Sequence, residues 1–370
     1  MSLILLLLFL IISNSYLYIS KEYSNLIKWI ENNKGYISKK VEPVEESIYN
    51  RIIKSSEKIE KDELLAFIPE KIVISSINFL VNPECRKAYG VFHEQDLECI
   101  AFFFTIDKNN PNSFFKPYYD YLPDFDLKIF PSEFPKSEQK LYEEIDLYLH
   151  IGIHENKITN GYNDSVEKIL KEKNISNSFE EFKYNFYIAQ SRDFSRPNSK
   201  FLTDLNSIVP FLDLFNHDNN FNCDWDYDED RHGFILRTIK DIEKGQELTI
   251  SYGEVDNLNL FVIYGFTFED NKYKTPIRVK LDEFKYTFYP GLNDIDNKKD
   301  LIRVKKTLED KYEDEDFIYN LMYNGLKKKL ENIKLIKLDN INVKNIVNEE
   351  KENIIKYINI LEKDFLKIRL

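Results

Sequence analysis

Ile208-Val-Pro-Phe-Leu-Asp213-Leu-Phe-Asn216-His217 and Ile242-Glu-Lys-Gly245-Gln-Glu247-Leu-Thr-Ile-Ser251-Tyr252-Gly253 are the two stretches on which the fold turns. The first is an apolar run that ends abruptly in an amide and an imidazole. Asn216 and His217 therefore place hydrogen-bonding groups at the edge of a core, where unpaired polar groups are costly. In the second, Lys244-Gly245 has the character of a turn before a strand. Tyr252-Gly253 ends that strand, because glycine permits a backbone turn that other residues resist. Asp256-Asn257 follows, and Tyr264-Gly265-Phe266 closes a second aromatic wall. Working outward, residues 208–214, 233–237, 247–251 and 277–281 read as short β-strands.

Upstream, residues 96 to about 187 read as mostly helical. Leu97, Ile100, Ala101 and Phe104 recur at helical spacing, and Leu141, Ile145, Leu147 and Leu149 do so with looser phase. Pro111, Pro117, Pro123, Pro131 and Pro135 cut this block into pieces. Nearer the N-terminus, Leu26, Ile27, Trp29 and Ile30 mark an amphipathic helix stopped by Asn32-Asn33-Lys34-Gly35. Residues 64–68 and 72–75 read as strands on either side of Pro69. From Lys305 the chain is helical and charged, with Ile354, Ile358, Leu361, Phe365 and Ile368 on one apolar stripe. Strands thus flank a helical block and a helical tail follows, which makes the class α+β.

The 370 residues are 43% hydrophobic and 31% charged, enough to bury a sizeable core. A formal net charge of -12 repels phosphate backbones and argues against nucleic acid as a partner. It suits a cationic partner such as a lysine-bearing protein segment, although solubility alone explains it equally well. The three cysteines, Cys85, Cys99 and Cys223, are odd in number and irregularly spaced, so neither a disulfide framework nor a cysteine zinc site is expected. Residues 1–20 carry no charged side chain, and the run from Leu3 to Ile12 has the length of a signal-peptide core. A cleaved signal, a membrane tether and a buried helix remain open for this segment. The first two imply the secretory pathway or an organelle reached through it; otherwise the address is cytoplasmic. The sequons at Asn163 and Asn174 fit a secretory route but arise easily by chance in an Asn-rich chain.

The ordered motifs resemble the SET-domain protein methyltransferases, and within them the branch of the Rubisco large-subunit lysine methyltransferases and the actin-histidine methyltransferase. The resemblance runs from about Leu26 to Leu281. It includes Trp29, Gly35, Ile59-Glu-Lys-Asp-Glu63-Leu, Ile68-Pro69, Phe114-Phe-Lys-Pro-Tyr118, Leu122-Pro123 and Ser191-Arg192-Asp-Phe194. It implies an α+β SET fold with a pseudoknot, in which the Asn216-His217 and Tyr252-Gly253 segments cross. The implied divisions are 1–20 as leader, 21–95 and 191–281 as the two parts of the SET domain, 96–190 as a helical insertion, and 282–370 as a helical substrate-docking domain. By resemblance the cofactor is S-adenosylmethionine, held by Arg192, Asp213, Asn216 and His217. Tyr252 is implied as the catalytic tyrosine. Phe194, Leu212, Tyr227, Tyr264 and Phe266 are implied to line the acceptor pocket, with Trp225 as the alternative to Tyr227. A protein substrate and a monomeric enzyme are expected.

The chemistry suits such a pocket. A free lysine is protonated at neutral pH, with a reference pKa of about 10.4. A narrow aromatic channel desolvates the ammonium, lowers its pKa and aligns the nitrogen for attack. One element departs from the pattern. Where the family places Gly-x-Gly-Leu in its cofactor loop, this chain has Asn50-Arg51-Ile52-Ile53. Asn50 tolerates positive φ, but β-branched Ile52 does so only with strain. The backbone there must shift or hold the cofactor less closely. An inactive SET-like protein-binding module is the alternative. Histidine-methylating members carry Asn and Trp where this chain has Phe194 and Leu212, and an apolar pocket favours a lysine stem over an imidazole.

Asp224-Trp-Asp226-Tyr-Asp228-Glu-Asp230 mimics a calcium loop, but Glu229 and Ile235 occupy positions that need Gly and a bidentate Glu. It reads instead as an acidic solvated loop. His150 and His154, near Glu155, lack a third ligand at zinc spacing and read as exposed helical histidines. No metal is expected.

Overall fold

The computed structural model describes residues 20–45, 51–88, 96–124, 126–175, 177–195, 206–336 and 338–365. The leader, apart from Ser20, lies outside them, as do Asn50 and Ile368. By its contacts the chain divides into two compact units: residues up to Asp126 with Gly161–Ser251, and Leu127–Asn160 with Tyr252–Leu370. The block 96–190 is shared between the units, and the second unit resumes at Tyr252, well before residue 282.

In the first unit, helix Lys21–Asn32 starts where the Ser20 hydroxyl accepts the Tyr23 amide at 3.1 Å. It buries Tyr23, Leu26, Trp29 and Ile30. The main sheet has four antiparallel strands in the order Tyr36–Ile37, Leu64–Pro69, Gly233–Thr238, Cys223–Asp228. Leu65, Ala66 and Ile68 on its second strand are fully buried, which accounts for a continuous apolar run rather than an alternating one. Val41–Glu45 pairs with Arg51–Ser55, and a smaller sheet joins Ile74–Ser75, Asn206–Ile208 and Asp193–Ser195. Helices Asp96–Asp107 and Ser178–Ser191 are joined at their buried faces by a bond from Asn185 Nδ2 to Thr105 Oγ1, 3.1 Å.

Three sequence expectations need correction. Residues 208–214 are not one strand. Pairing stops at Ile208, Phe211 turns the chain with φ 80°, and Leu212–Leu214 form a 3-10 turn. The run is apolar because Val209, Phe211, Leu212 and Phe215 are fully buried, and burial alone does not distinguish a strand from a turn. A left-handed phenylalanine is strained and is held only by its packing. Second, residues 224–228 are a strand rather than a loop, with Asp224 and Asp226 exposed while Trp225 and Tyr227 face inward. Third, the helical reading across 141–149 is broken at Asp146, φ 57°, which separates the turn Lys140–Ile145 from helix Leu147–Gly161. Leu141 and Leu149 are accordingly 49% and 46% exposed.

The second unit holds the hairpin Ile277–Leu281/Phe284–Phe288 and helices Asp294–Glu309, Glu315–Ile333 and Ile341–Ile360. The helical tail thus begins at Asp294, where the Asn293 side chain caps the Asp296 amide at 3.0 Å. Ile145, Leu147 and Ile151 pack into one core with Leu301, Met322, Leu326, Ile346 and Ile354. Buried Lys329 secures this packing, reaching Glu350 at 3.2 Å and the Glu144 carbonyl. Ile354, Ile358 and Leu361 of the expected stripe are buried. Among the described residues no helix is long and apolar enough to cross a membrane. Cys85, Cys99 and Cys223 are buried and not joined in disulfides.

Candidate functional site

Asn216–His217 and Thr249–Ile250 form a parallel pair, with Thr249 opposite Asn216 and Ile250 opposite His217. Strands so short are not self-supporting, and side-chain amides reinforce them. Asn222 Nδ2 donates to the Glu247 carbonyl at 2.8 Å, while its Oδ1 accepts the Thr249 amide at 2.9 Å. Asn216 Nδ2 donates to Glu247 Oε1 at 3.0 Å. His217 is buried and Asn216 half-buried. Tyr252 follows the paired strand by two residues in the sequence, and Gly253 takes φ 104°, in the left-handed region that favours glycine.

Arg192 and Asp213 also meet. Arg192 Nη1 donates to Asp213 Oδ2 at 2.9 Å and to its carbonyl at 2.7 Å, and the Tyr118 hydroxyl donates to the same Oδ2 at 2.7 Å. The Asp213 carboxyl is fully buried, so desolvation raises its pKa while Arg192 opposes the rise. The Tyr118 phenol is pushed up by burial and by Asp213.

Arg51 and Ile52 belong to an ordinary strand, in register with Glu45 and Val44. Ile52 is buried and is not among the residues with positive φ, so the chain replaces the family's glycine turn by regular pairing. Arg51 lies over the Tyr121 ring at 3.9 Å, donates to the Tyr121 carbonyl at 2.6 Å and pairs with Glu45 at 3.1 Å. Arg51 Nε and the Tyr121 hydroxyl are buried without a hydrogen-bond partner. Such orphaned groups are uncommon in a folded interior and mark where a polar ligand would complete the bonding.

The expected pocket residues fall in both units. In the first, Phe194 is buried edge-on against Trp225 at 5.1 Å, Leu212 is fully enclosed, and Tyr227 donates its hydroxyl to Glu70 Oε2 at 3.0 Å. Trp225, half-buried, is thus the aromatic that meets Phe194. In the second, Tyr252 and Tyr264 pack at 4.8 Å and Tyr264 and Phe266 at 6.2 Å, all three half-buried. Phe268, which sequence reading passed over, extends the row at 5.5 Å from Phe266. Gly265 ends helix Asn257–Tyr264 in a left-handed cap of φ 82°, and a Cβ there would meet Ile129 at 2.9 Å.

The histidine reading is corrected. His154 is 5% exposed, because it lies on the buried stripe of Leu147, Ile151 and Ile158. His150 is half-buried, and burial lowers its pKa. Among the described residues no group of three His, Cys, Asp or Glu is arranged to hold a metal ion. Tyr118 was quoted only as part of a motif, and Asn222 was not singled out. Their signal is weak, since Tyr118 is one of several aromatics in residues 114–121 and Asn222 one of several amides and acids in residues 218–222.

Residues 50–253, more than half of the chain, match the SET-domain family. SET domain-containing protein 4 of Artemia parthenogenetica is 24% identical over 67% of this chain and 63% of its own length. The actin-histidine N-methyltransferase of Gallus gallus is 22% identical over 70% of this chain and 44% of its own length. The chain therefore spans less than two thirds of these relatives. Among solved structures, the SET domain of LSMT bound to lysine and AdoHcy superposes with a TM-score of 0.66 at 14% identity, covering 95% of this chain and 93% of that one. Rubisco LSMT bound to AdoMet gives 0.66 at 15% identity, covering 94% and 93%. These structures share its fold, α+β with a sheet-rich SET region and helices outside it. On its matched residues, the chain belongs to the SET-domain family.

Proposed function

We infer that this protein is an S-adenosylmethionine-dependent methyltransferase acting on a side chain of another protein, with lysine as the acceptor. The observation that carries the reading is the parallel pairing of Asn216–His217 with Thr249–Ile250, two residues before Tyr252. The likeness to structures bound to AdoMet and AdoHcy supports the cofactor, and the relatives' names support protein methylation.

When bound, the cofactor supplies an electrophilic methyl on a sulfonium. Arg192, Asp213, Asn216 and His217 would hold it, with Arg51 and Tyr121 offering unsatisfied polar atoms on the same unit. Ile52 contributes an extended backbone to that side instead of a glycine turn. The half-buried rings of Tyr252, Tyr264 and Phe266 would strip water from the incoming ammonium, favouring loss of its proton to solvent. Loss of that proton would leave a nitrogen lone pair free to accept the methyl group. The Tyr252 hydroxyl would orient the nitrogen by hydrogen bonding.

Apolar Phe194 and Leu212 favour a lysine stem. The actin-histidine relatives favour the other acceptor, an imidazole. Acid hydrolysis of methyl-labelled product decides between them, since methyl-lysine and methyl-histidine separate cleanly. Cofactor capture is tested by calorimetry with S-adenosylhomocysteine. The wild type is expected to bind, and Asn216→Ala to bind about tenfold more weakly, a loss of about 1.4 kcal/mol. A wild type that binds neither S-adenosylhomocysteine nor S-adenosylmethionine would leave the inactive, protein-binding module as the better reading.

A further inference from the structure

The aromatic row of the second unit raises a structural question, because Phe266 and Phe268 do not sit on a helix or a strand. They follow the left-handed cap at Gly265 in an irregular segment. A loop of this kind holds a ring in one place only if its backbone is tied down. The ties come from one face of helix Ile341–Ile360. Asn342 Nδ2 donates to the Gly265 carbonyl at 3.2 Å. The Thr267 hydroxyl donates to Asn342 Oδ1 at 2.9 Å and accepts from Asn345 Nδ2 at 3.0 Å. One helical turn further, Glu349 Oε2 accepts from Asn257 Nδ2 at 2.7 Å, and Asn257 binds both the amide and the carbonyl of Phe268, at 2.9 and 2.8 Å. Asn342, Asn345 and Glu349 are spaced three and four apart and so share one helix face. That face grips the segment on both sides of Phe266.

We propose that Asn342, Asn345 and Glu349 are positioning residues for the acceptor wall. On this assignment the C-terminal helix sets where Phe266 stands and so how well the acceptor nitrogen is aligned, a role separate from docking the substrate protein. The proposal rests on the methyl-transfer reading for its chemical consequence but not for the clamp itself. Misplacing a reacting group by about 1 Å can cost on the order of 10²-fold in rate.

Thr267 is the point to test, because its hydroxyl is shared between two of the three residues. Thr267→Val keeps the shape and removes both hydrogen bonds, whereas Thr267→Ser keeps the hydroxyl. Hydrogen exchange in the full-length chain is expected to speed up about tenfold at the amides of residues 265–268 in Thr267→Val and to stay at the wild-type rate in Thr267→Ser. Unchanged exchange in Thr267→Val would overturn the clamp. Labelled methyl transfer from S-adenosylmethionine into a lysate of the source cell should fall about tenfold in Thr267→Val and recover in Thr267→Ser, with the KM for S-adenosylmethionine within about twofold in both. Equal transfer by wild type and Thr267→Val would overturn the positioning role even if exchange changed. A wild type that transfers no methyl would remove the methyl-transfer reading, while the exchange comparison still judges the clamp.

Discussion

The residues expected to hold the cofactor and those expected to face the acceptor are built on different physics. On the first side, a buried carboxylate at Asp213 is balanced by the Arg192 guanidinium and the Tyr118 phenol, and the Asn-His pair is fixed by strand pairing. On the second, half-exposed rings stand on a helix end and an irregular segment, tied by neutral amides and a single buried carboxylate. The contrast teaches that one side is all-or-none and the other adjustable. Removing one member of a buried charge cluster strands the others, whereas loosening an amide clamp shifts a ring by degrees.

The largest effect should come from breaking the charged side. Asp213→Ala leaves the Arg192 guanidinium buried without its carboxylate and is expected to cost about 3–5 kcal/mol of unfolding free energy, read from urea denaturation. A loss under about 1 kcal/mol would place Arg192 in solvent and dissolve the contrast.

Acidity probes the helical core of the second unit. Burial pushes the Glu350 carboxyl from 4.5 up to about 7, against the pull of Lys329. Between those values the folded chain keeps a proton that the unfolded chain releases, so this group's contribution to stability falls as pH rises from about 4.5 to about 7 and then levels off. Urea midpoints across that range should show the decline, and Glu350→Gln should flatten it.

A smaller loss is expected from the clamp. Glu349→Ala deprives Asn257 Nδ2 and the Thr275 amide of an acceptor, for about 1–3 kcal/mol. Methyl transfer should drop by more than stability alone explains if the acceptor side is adjustable. A control helix cap in the first unit sets the floor. Asn163 caps helix Asp164–Glu172 by accepting the Ser165 and Val166 amides, so Asn163→Ala should cost about 1 kcal/mol in thermal unfolding with transfer unchanged.

Much of this was legible in the sequence where a residue type has few alternative uses. Gly245 and Gly253 mark turns in the sequence, and they take φ 82° and 104°. The strand Ile277–Leu281 and the helix Lys21–Asn32 followed from period and caps. What could not be read was set by partners distant in the chain. Burial makes 208–214 apolar whether or not it pairs, so the turn at Phe211 left no local trace. Alternation along 224–228 was hidden because carboxylates dominated the reading, although Trp225 and Tyr227 carried the period of a strand. His154 looked exposed because histidine is polar, yet its place on the Leu147–Ile151–Ile158 stripe decided its burial. The division at Ser251/Tyr252 depends on which core the helical tail joins, which no local pattern encodes.

On the proposed function, Tyr252, two residues past the strand paired with Asn216–His217, orients the nitrogen that receives a methyl group. The most direct measurement is transfer of labelled methyl from S-adenosylmethionine into a lysate of the source cell by wild type and by Tyr252→Phe. Wild type is expected to label a protein band and Tyr252→Phe to do so about 10²-fold more slowly, with folding and S-adenosylhomocysteine binding intact. Equal labelling by the two would contradict it.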